Sequence, residues 1–212
     1  QIGATSPDYG YGITVDRFGS VYTTGGTLET CDIDPGPGMQ LQDPGIFILK
    51  LGRNGNFRWA RQLGQFGDNG YAIATDTAGH VYTTGAFSLS SDFDPGAGTF
   101  TLAAEGETDI FVSKLDSSGT FVWAQHMGGT NVDQGSAIAV DRSANVFLTG
   151  GFKGTCDFDP GAAAYPLTAA GAWDAFTAKL DASGGFAWAF KMGGTSFGNS
   201  DVGTGIAVDT IG

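Results

Sequence analysis

A fourteen-residue pattern recurs along this chain and limits its fold more than any other feature. It occupies residues 12–25 (GITVDRFGSVYTTG), returns at 72–85 and 137–150, and begins a fourth time at Gly205. The segments between the copies repeat as well, because Trp59, Trp123 and Trp188 are separated by 64 and 65 residues. A repeat of about 60–65 residues is somewhat longer than a typical propeller blade, and its internal pattern is that of short strands.

Each repeat is predicted to contain four short antiparallel strands. In the first copy these are residues 13–15, 21–24, 46–51 and 57–62. Runs of β-branched and aromatic residues divided by Asp, Asn and Gly turns are typical of hairpins. A long turn-rich segment, which contains residues 31–36, separates the second strand from the third. Four meandering strands per repeat predict an all-β fold, a β-propeller of four-stranded antiparallel blades, with about three blades plus one strand in this chain.

The aromatic residues of the fourth strand are predicted to pack between blades. Trp59 follows Phe57 by two residues, and Trp123 and Trp188 stand in the same relation to Phe121 and Phe186. Residues two apart share one face of a strand, so each pair points to the same side of its blade. Recurrence in every unit favours core packing over an aromatic cage for a ligand.

These recurring residues resemble the bacterial β-propeller repeat, also described as the seven-bladed propeller repeat. The shared motifs are Asp-x-Gly-x-x-Ile-x-Val-Asp-x-x-Gly-x-Val-Tyr-x-Thr-Gly and Phe-x-x-Lys-Leu-Asp-x-x-Gly, followed by an aromatic strand with Trp. The first motif lies at residues 8–25, 68–85 and 133–150, and incompletely at 201–212. Gly52 departs from the pattern, because Asp116 and Asp181 stand at the matching positions. The resemblance implies a propeller in a secreted or cell-surface protein, but it implies no activity.

The whole chain, 1–212, is predicted to form a single propeller domain that is a partial or half ring. Its units are approximately 4–66, 67–130 and 131–195, with a partial fourth at 196–212. Propeller rings typically have 4–8 blades. We therefore expect either the remainder of a longer chain or a homodimer to complete the ring.

Charge narrows the range of partners. The chain has ten Lys plus Arg against 22 Asp plus Glu, giving a formal charge of −12. The cations are scattered, which argues against a nucleic-acid surface, and no apolar run reaches the length of a membrane span. We expect a protein or glycan partner, no nucleic acid and no membrane insertion.

Cys31 and Cys156 occupy equivalent positions in units that are not neighbours, so we expect two free thiols.

The Asp-x-Asp-Pro-Gly loops are the candidate metal sites. Two carboxylates two residues apart on an extended segment point the same way, so both can reach one hard cation such as Ca²⁺. The alternative is structural, since Asp before Pro-Gly can accept backbone N–H bonds and lock a turn. No cofactor is required under either interpretation. The carboxylates concerned are Asp32, Asp34, Asp92, Asp94, Asp157 and Asp159.

A second acidic series precedes the first strand of each unit, at Asp8, Asp68, Asp133 and Asp201, with Asp109 and Asp174 before two of the third strands. We expect this series to order loops at the blade edges, and Asp16, Asp76, Asp141 and Asp209 to cap hairpin turns.

The signal for catalysis is weak. His80 and His126 do not recur between units, and His80 is predicted to be a solvated turn residue. No His-x-x-x-His spacing is present. We therefore expect a non-catalytic extracellular binding or scaffolding module that presents loops on a rigid propeller. The alternatives are a structural subunit of a surface layer or filament, and a polysaccharide-acting enzyme whose active site lies partly outside this chain.

Overall fold

The computed structural model describes residues 5–195 and 200–209, and these residues contain strands and turns but no helix. Each repeat supplies six strands, four long and two short. The strands of the first unit are β1 (Tyr9–Val15), β2 (Val21–Thr27), β3 (Cys31–Asp32), β4 (Leu41–Gln42), β5 (Gly45–Leu51) and β6 (Phe57–Leu63). Those of the second are β7 (Asn69–Thr75), β8 (Val81–Phe87), β9 (Ser90–Asp92), β10 (Thr101–Ala103), β11 (Asp109–Leu115) and β12 (Phe121–Gly129). Those of the third are β13 (Asp133–Val140), β14 (Val146–Phe152), β15 (Thr155–Asp157), β16 (Pro166–Thr168), β17 (Asp174–Leu180) and β18 (Phe186–Met192).

The four long strands of each unit form one antiparallel sheet, which we call a blade. Blade 1 has the order β1-β2-β5-β6, blade 2 the order β7-β8-β11-β12 and blade 3 the order β13-β14-β17-β18. The first strands of the blades, β1, β7 and β13, lie beside one another. The predicted fold class is confirmed: the described chain is all-β and of the β-propeller type, and its sheets do not close into a ring.

The segment predicted as turn-rich contains a small hairpin in every unit. The hairpins are β3–β4, β9–β10 and β15–β16, and each strand is only two or three residues long. Such short strands show no alternation of polar and apolar residues that a sequence could reveal. Each later hairpin attaches to the outer strand of the preceding blade. β15 pairs with β12 through Gly129 and Cys156, and the N–H of Gly64 donates to Asp92 O at 2.7 Å.

The core lies between blades, where two apolar faces meet. Tyr22, Ile46 and Leu63 of blade 1 pack with Phe93 and Phe111 of the second unit in one buried cluster. An equivalent cluster joins blades 2 and 3 and includes Tyr82, Ile110, Met127, Phe158 and Phe176.

The tryptophans of β6 and β12 pack against these clusters, as predicted. Trp59 packs against the first cluster and Trp123 against the second. The indole N–H of Trp59 also donates to Ser117 O of blade 2 at 3.2 Å, so this side chain spans the junction.

The partial fourth copy of the recurring pattern packs against blade 3. A Cβ on Gly203 would overlap Thr149 of blade 3, as one on Gly135 would overlap Thr84 of blade 2. The N–H of Gly203 donates to Gly150 O at 2.9 Å. Residues 200–209 therefore lie against blade 3 much as β13 lies against blade 2, while the rest of the predicted partial unit 196–212 falls outside the described residues.

Two further expectations concern cysteines and membranes. Cys31 and Cys156 are both buried free thiols. The described residues include no helix that could span a membrane.

A bulge in the first strand of each blade requires glycine at the last position of the recurring pattern. In β7 the register shifts between Gly70 and Ala72, and the carbonyl of Asn69 then faces the backbone of Gly85. A Cβ at Gly85 would overlap that oxygen. Gly25 and Gly150 meet the carbonyls of Tyr9 and Gln134 in the same way.

We expect Gly85→Ala to lower the free energy of unfolding by about 1–3 kcal/mol, because the methyl group must displace the backbone of the neighbouring strand β7. Gly10→Ala is the matched control, since a Cβ at Gly10 meets no atom within 4 Å. Chemical denaturation followed by tryptophan fluorescence measures both. Equal effects of the two substitutions would contradict the bulge geometry.

Candidate functional site

The paired aspartates of the second unit's Asp-x-Asp-Pro-Gly loop hold its backbone. Asp92 Oδ1 accepts the N–H groups of Asp94 at 3.0 Å and Phe100 at 2.8 Å. Asp94 Oδ1 accepts the N–H of Gly96 at 2.8 Å. The other two loops repeat these bonds, from Asp34 and Gln40 to Asp32, Gly36 to Asp34, Asp159 and Tyr165 to Asp157, and Gly161 to Asp159. These contacts favour the structural role of the loops.

The same contacts limit what the loops offer to a metal ion. Within the described part of the chain, no three His, Cys, Asp or Glu side chains are grouped closely enough to hold one. One oxygen of each paired aspartate is already an acceptor for backbone N–H groups. A cation would therefore depend on the second carboxylate oxygens and on backbone carbonyls, and calcium binding stays a prediction.

The aspartates of the first hairpin turns hold the turn and an adjacent tyrosine. Asp76 Oδ1 accepts the N–H groups of Ala78 and His80, and Oδ2 accepts the hydroxyl of Tyr82 at 3.0 Å. Burial acts to raise the pKa of Asp76, but hydrogen bonds from His80 and Tyr82 bring it below its ordinary value. Asp16 makes equivalent bonds to Phe18, Ser20 and Tyr22. These contacts agree with the predicted role in capping turns.

His80 differs from the expectation of a solvated turn residue. Its Nδ1 lies 2.7 Å from Asp76 Oδ2, and its side chain is 35% exposed. His126 packs edge-on against the ring of Phe87, with centroids 6.2 Å apart. Among the described residues, no hydrogen bond joins either histidine to a serine, threonine or cysteine side chain. Among the described residues, the contacts of the two histidines are therefore turn and packing contacts.

Four aspartates of the second acidic series are buried, namely Asp68, Asp109, Asp133 and Asp174, whereas Asp8 is half-buried and Asp201 is exposed. Asp68 accepts the N–H groups of Gln65 and Ser88, both at 2.9 Å, and the hydroxyl of Ser91 at 2.6 Å. Asp174 accepts the N–H of Ala170 and pairs with Lys191 Nζ at 3.1 Å. The contacts agree with the predicted ordering of edge loops, because each carboxylate joins segments distant in sequence.

Asp109 and Asp133 form a less satisfied pair at the junction of blades 2 and 3. Both side chains are fully buried, and Asp109 Oδ1 and Asp133 Oδ2 have no hydrogen-bond partner in the described structure. Burial raises the pKa of Asp109 to about 6, although the N–H of Glu105 and nearby His126 oppose the shift. Burial and the neighbouring Asp109 raise the pKa of Asp133 to about 7, against the N–H of Lys153. No substrate can reach a pair without solvent exposure, so it affects stability rather than catalysis.

Linear spacing does not predict that Asp109 and Asp133 lie close to each other. Asp133 recurs in every unit, whereas the position of Asp109 is Gly45 in the first unit and Asp174 in the third, so the junction of blades 1 and 2 lacks the second carboxylate. The signal that could have found it is the alignment of Asp109 with Gly45, read together with contact between adjacent units.

We expect the free energy of unfolding to fall as pH rises from about 4 to about 7. The unfolded aspartates titrate near 3.9, while the folded pKa values are about 6 and 7, so the folded state holds more protons in that interval. The slope approaches about 1.4 kcal/mol per pH unit for each group. Asp133→Asn should remove much of it, as measured by denaturation between pH 4 and 8. The control Glu107→Gln changes an exposed carboxylate and should keep the wild-type slope. An unchanged slope in Asp133→Asn would contradict the assignment.

Comparison with known proteins supports the propeller resemblance. A family model described as "Beta-propeller repeat" matches residues 1–29. An uncharacterised WD repeat-containing protein of Acanthamoeba polyphaga mimivirus is 28% identical over 109 residues, covering 44% of this chain and 8% of the relative. Regulatory protein FlaEY of Caulobacter vibrioides is 28% identical over 144 residues, covering 66% of this chain and 14% of the relative. The chain thus spans a small part of the length of these curated relatives.

These matches and the sheet order define a repeat protein of the propeller type. The resemblance stated from the sequence is confirmed at this level. The similarities to repeat proteins suggest a scaffold for protein interactions.

Proposed function

We propose that this chain is a non-catalytic binding module of the cell exterior or cell surface that presents loops on a rigid propeller to a protein or glycan. The observation that carries the proposal is the use of the recurring carboxylates. In the described hairpins, Asp32, Asp92 and Asp157 each accept two backbone N–H groups. Loops fixed in this way lose little conformational entropy when a partner binds.

The fold directs these loops to one end of the blades. The tight turns between β1 and β2 and between β5 and β6 lie at one end of the antiparallel sheet, and the β3–β4 hairpin leaves from the other. Met39, at the tip of this hairpin, is 77% exposed. An exposed apolar side chain on a rigid loop is suited to a pocket in a partner. The hairpin end is therefore the proposed binding end.

Further blades of the same repeat are proposed to cover the end faces. Phe47 and Leu49 belong to a third apolar cluster on blade 1, and Phe47 occupies the position at which Phe111 of blade 2 packs against blade 1. On blade 3, Phe190 is 61% exposed and Met192 53% exposed. Such faces suit a neighbouring blade, supplied by the remainder of a longer chain or by a second copy. Polymerisation through them corresponds to the structural-subunit alternative.

Calcium binding at the Asp-x-Asp-Pro-Gly loops is proposed as an accessory feature. The expected result is a higher melting temperature in millimolar-range Ca²⁺ than in chelator, because an ion bound only to the folded state stabilises it by mass action. Asp92→Asn should reduce the difference, and Glu107→Gln should keep it. If neither Ca²⁺ nor chelator changes the melting temperature, calcium binding is contradicted and only the structural role of the loops remains.

The binding function is tested by screening the purified chain on peptide and glycan arrays and then measuring the strongest ligand by interferometry. We expect Met39→Glu at the hairpin end to weaken binding at least about tenfold, a loss of about 1.4 kcal/mol. Phe18→Glu is the matched control, because Phe18 is 62% exposed in a turn at the opposite end. Light scattering of the same samples separates a closed oligomer from a polymer. Release of reducing sugars from a polysaccharide would instead support the enzyme alternative.

A further inference from the structure

A polar cleft opens at the outer edge of blade 1 and has no full equivalent at the next junction. Its volume is about 440 Å³, within the range of small-ligand sites. One wall is the β4 segment around Gln42 and Asp43, and the other is the loop containing Asp92 and Asp94. Arg61 of β6 also lines the cleft.

The cleft is open because the first unit is shorter at this point. Only residues 43–44 connect β4 to β5, whereas residues 104–108 connect β10 to β11. The equivalent space beside blade 2 has a volume of only about 90 Å³, and Glu105 of the longer connection lines it. A Cβ on Gly106 would overlap the backbone of Gly129 and Thr130, so that connection packs closely on the extended β12.

Gln42 departs from the repeat inside this cleft. The hairpin registers place Gln42 opposite Cys31, Leu102 opposite Ser91 and Leu167 opposite Cys156, so the other two units have leucine at this position. Gln42 is only 8% exposed, yet its Oε1 atom has no hydrogen-bond partner among the described residues. A buried amide oxygen without a donor costs free energy that a leucine would not. A ligand that donates a hydrogen bond removes this cost.

The charges of the lining residues indicate which kind of hydrogen-bond donor a ligand of the cleft must carry. Asp43, Asp92 and Asp94 bring three carboxylates, while Arg61 brings one cation. The Arg61 N–H groups already donate to the carbonyls of Ala60, Ser118 and Gly119, at 2.8, 3.0 and 2.9 Å. These lining groups therefore offer acceptors and a net negative charge. A cationic ligand with several N–H donors fits them, and an anion does not.

We propose that this cleft binds the guanidinium group of an arginine in a basic segment of the partner protein. The proposal deepens the binding function above and rests on it. A guanidinium presents five N–H donors in a planar fork, so one group can donate to more than one of the acceptors that line the cleft. The described lining has no aromatic ring on which a sugar could stack, and it has no cluster of three carboxylates close enough for a metal ion.

The probe is an acetylated, amidated Gly-Gly-Arg-Gly-Gly peptide, titrated into ¹⁵N-labelled chain and followed by NMR. Its matched control carries citrulline in place of arginine, which keeps the shape and removes the charge. We expect saturable shifts at residues 40–43 and 92–96, at least tenfold weaker binding of the citrulline peptide, and weaker binding at high salt. Equal binding of the two peptides, binding of maltotriose at the same amides, or no saturable shift with the arginine peptide would overturn the proposal.

Two variants and one control assign the site. Gln42→Leu introduces the residue that the other units have, and should weaken the arginine peptide at least tenfold. Asp43→Asn should weaken it several-fold and carries the test if Gln42→Leu does not fold. Glu107→Gln removes one negative charge outside the cleft and should bind as the wild type does. Unchanged affinity in Asp43→Asn and in folded Gln42→Leu would overturn the assignment. If wild type and Gln42→Leu bind an array ligand with equal affinity and the arginine peptide does not bind, the arginine site is wrong. The broader binding function is still supported in that case.

Discussion

Face-to-face packing of adjacent sheets is the interaction on which the rest of this structure depends. A single four-stranded sheet with apolar residues on both faces cannot bury them alone, and each blade therefore requires a neighbour. The aromatic positions recur for this reason: Phe111 and Phe176 occupy one face of their blades, and Tyr22 and Tyr82 occupy the other. Gly70 and Gly135, at which a Cβ would overlap a threonine of the preceding blade, and the attached short hairpins bring the sheets close enough for that contact.

The acidic composition follows from the turns that this stacking requires. Short strands need many tight connections, and aspartate satisfies backbone N–H groups where no strand can. Asp16, Asp68 and Asp92 perform this role in three different places, although the first closes a turn, the second joins two units and the third holds a hairpin. The charge of −12 is thus largely a structural consequence, which the surface can also use to attract a cationic partner.

The sequence predicts the fold well because the same pattern of strands and turns recurs in each unit. Residues 21–24 and 46–51 lie within the strands β2 and β5, and the tryptophans of β6 and β12 pack at junctions. The short hairpins were missed because two-residue strands have no readable period. The site was predicted less well, because the sequence analysis relied on residues that recur, whereas the site depends on residues that differ between units. Gln42 differs from its equivalents Leu102 and Leu167, and the importance of Gln42 and Asp109 depends on contacts across units that linear spacing does not show.

The stacking of units is tested most directly by the tryptophan side chains that cross the junctions. The indole N–H of Trp59 donates to Ser117 O at 3.2 Å, and that of Trp123 donates to Ala182 O at 3.4 Å. Nuclear Overhauser measurements should therefore show contacts from each indole N–H to the third-to-fourth-strand turn of the following unit, with slow hydrogen exchange at both positions. Contacts confined to residues of the same unit, with fast exchange, would contradict the packed propeller.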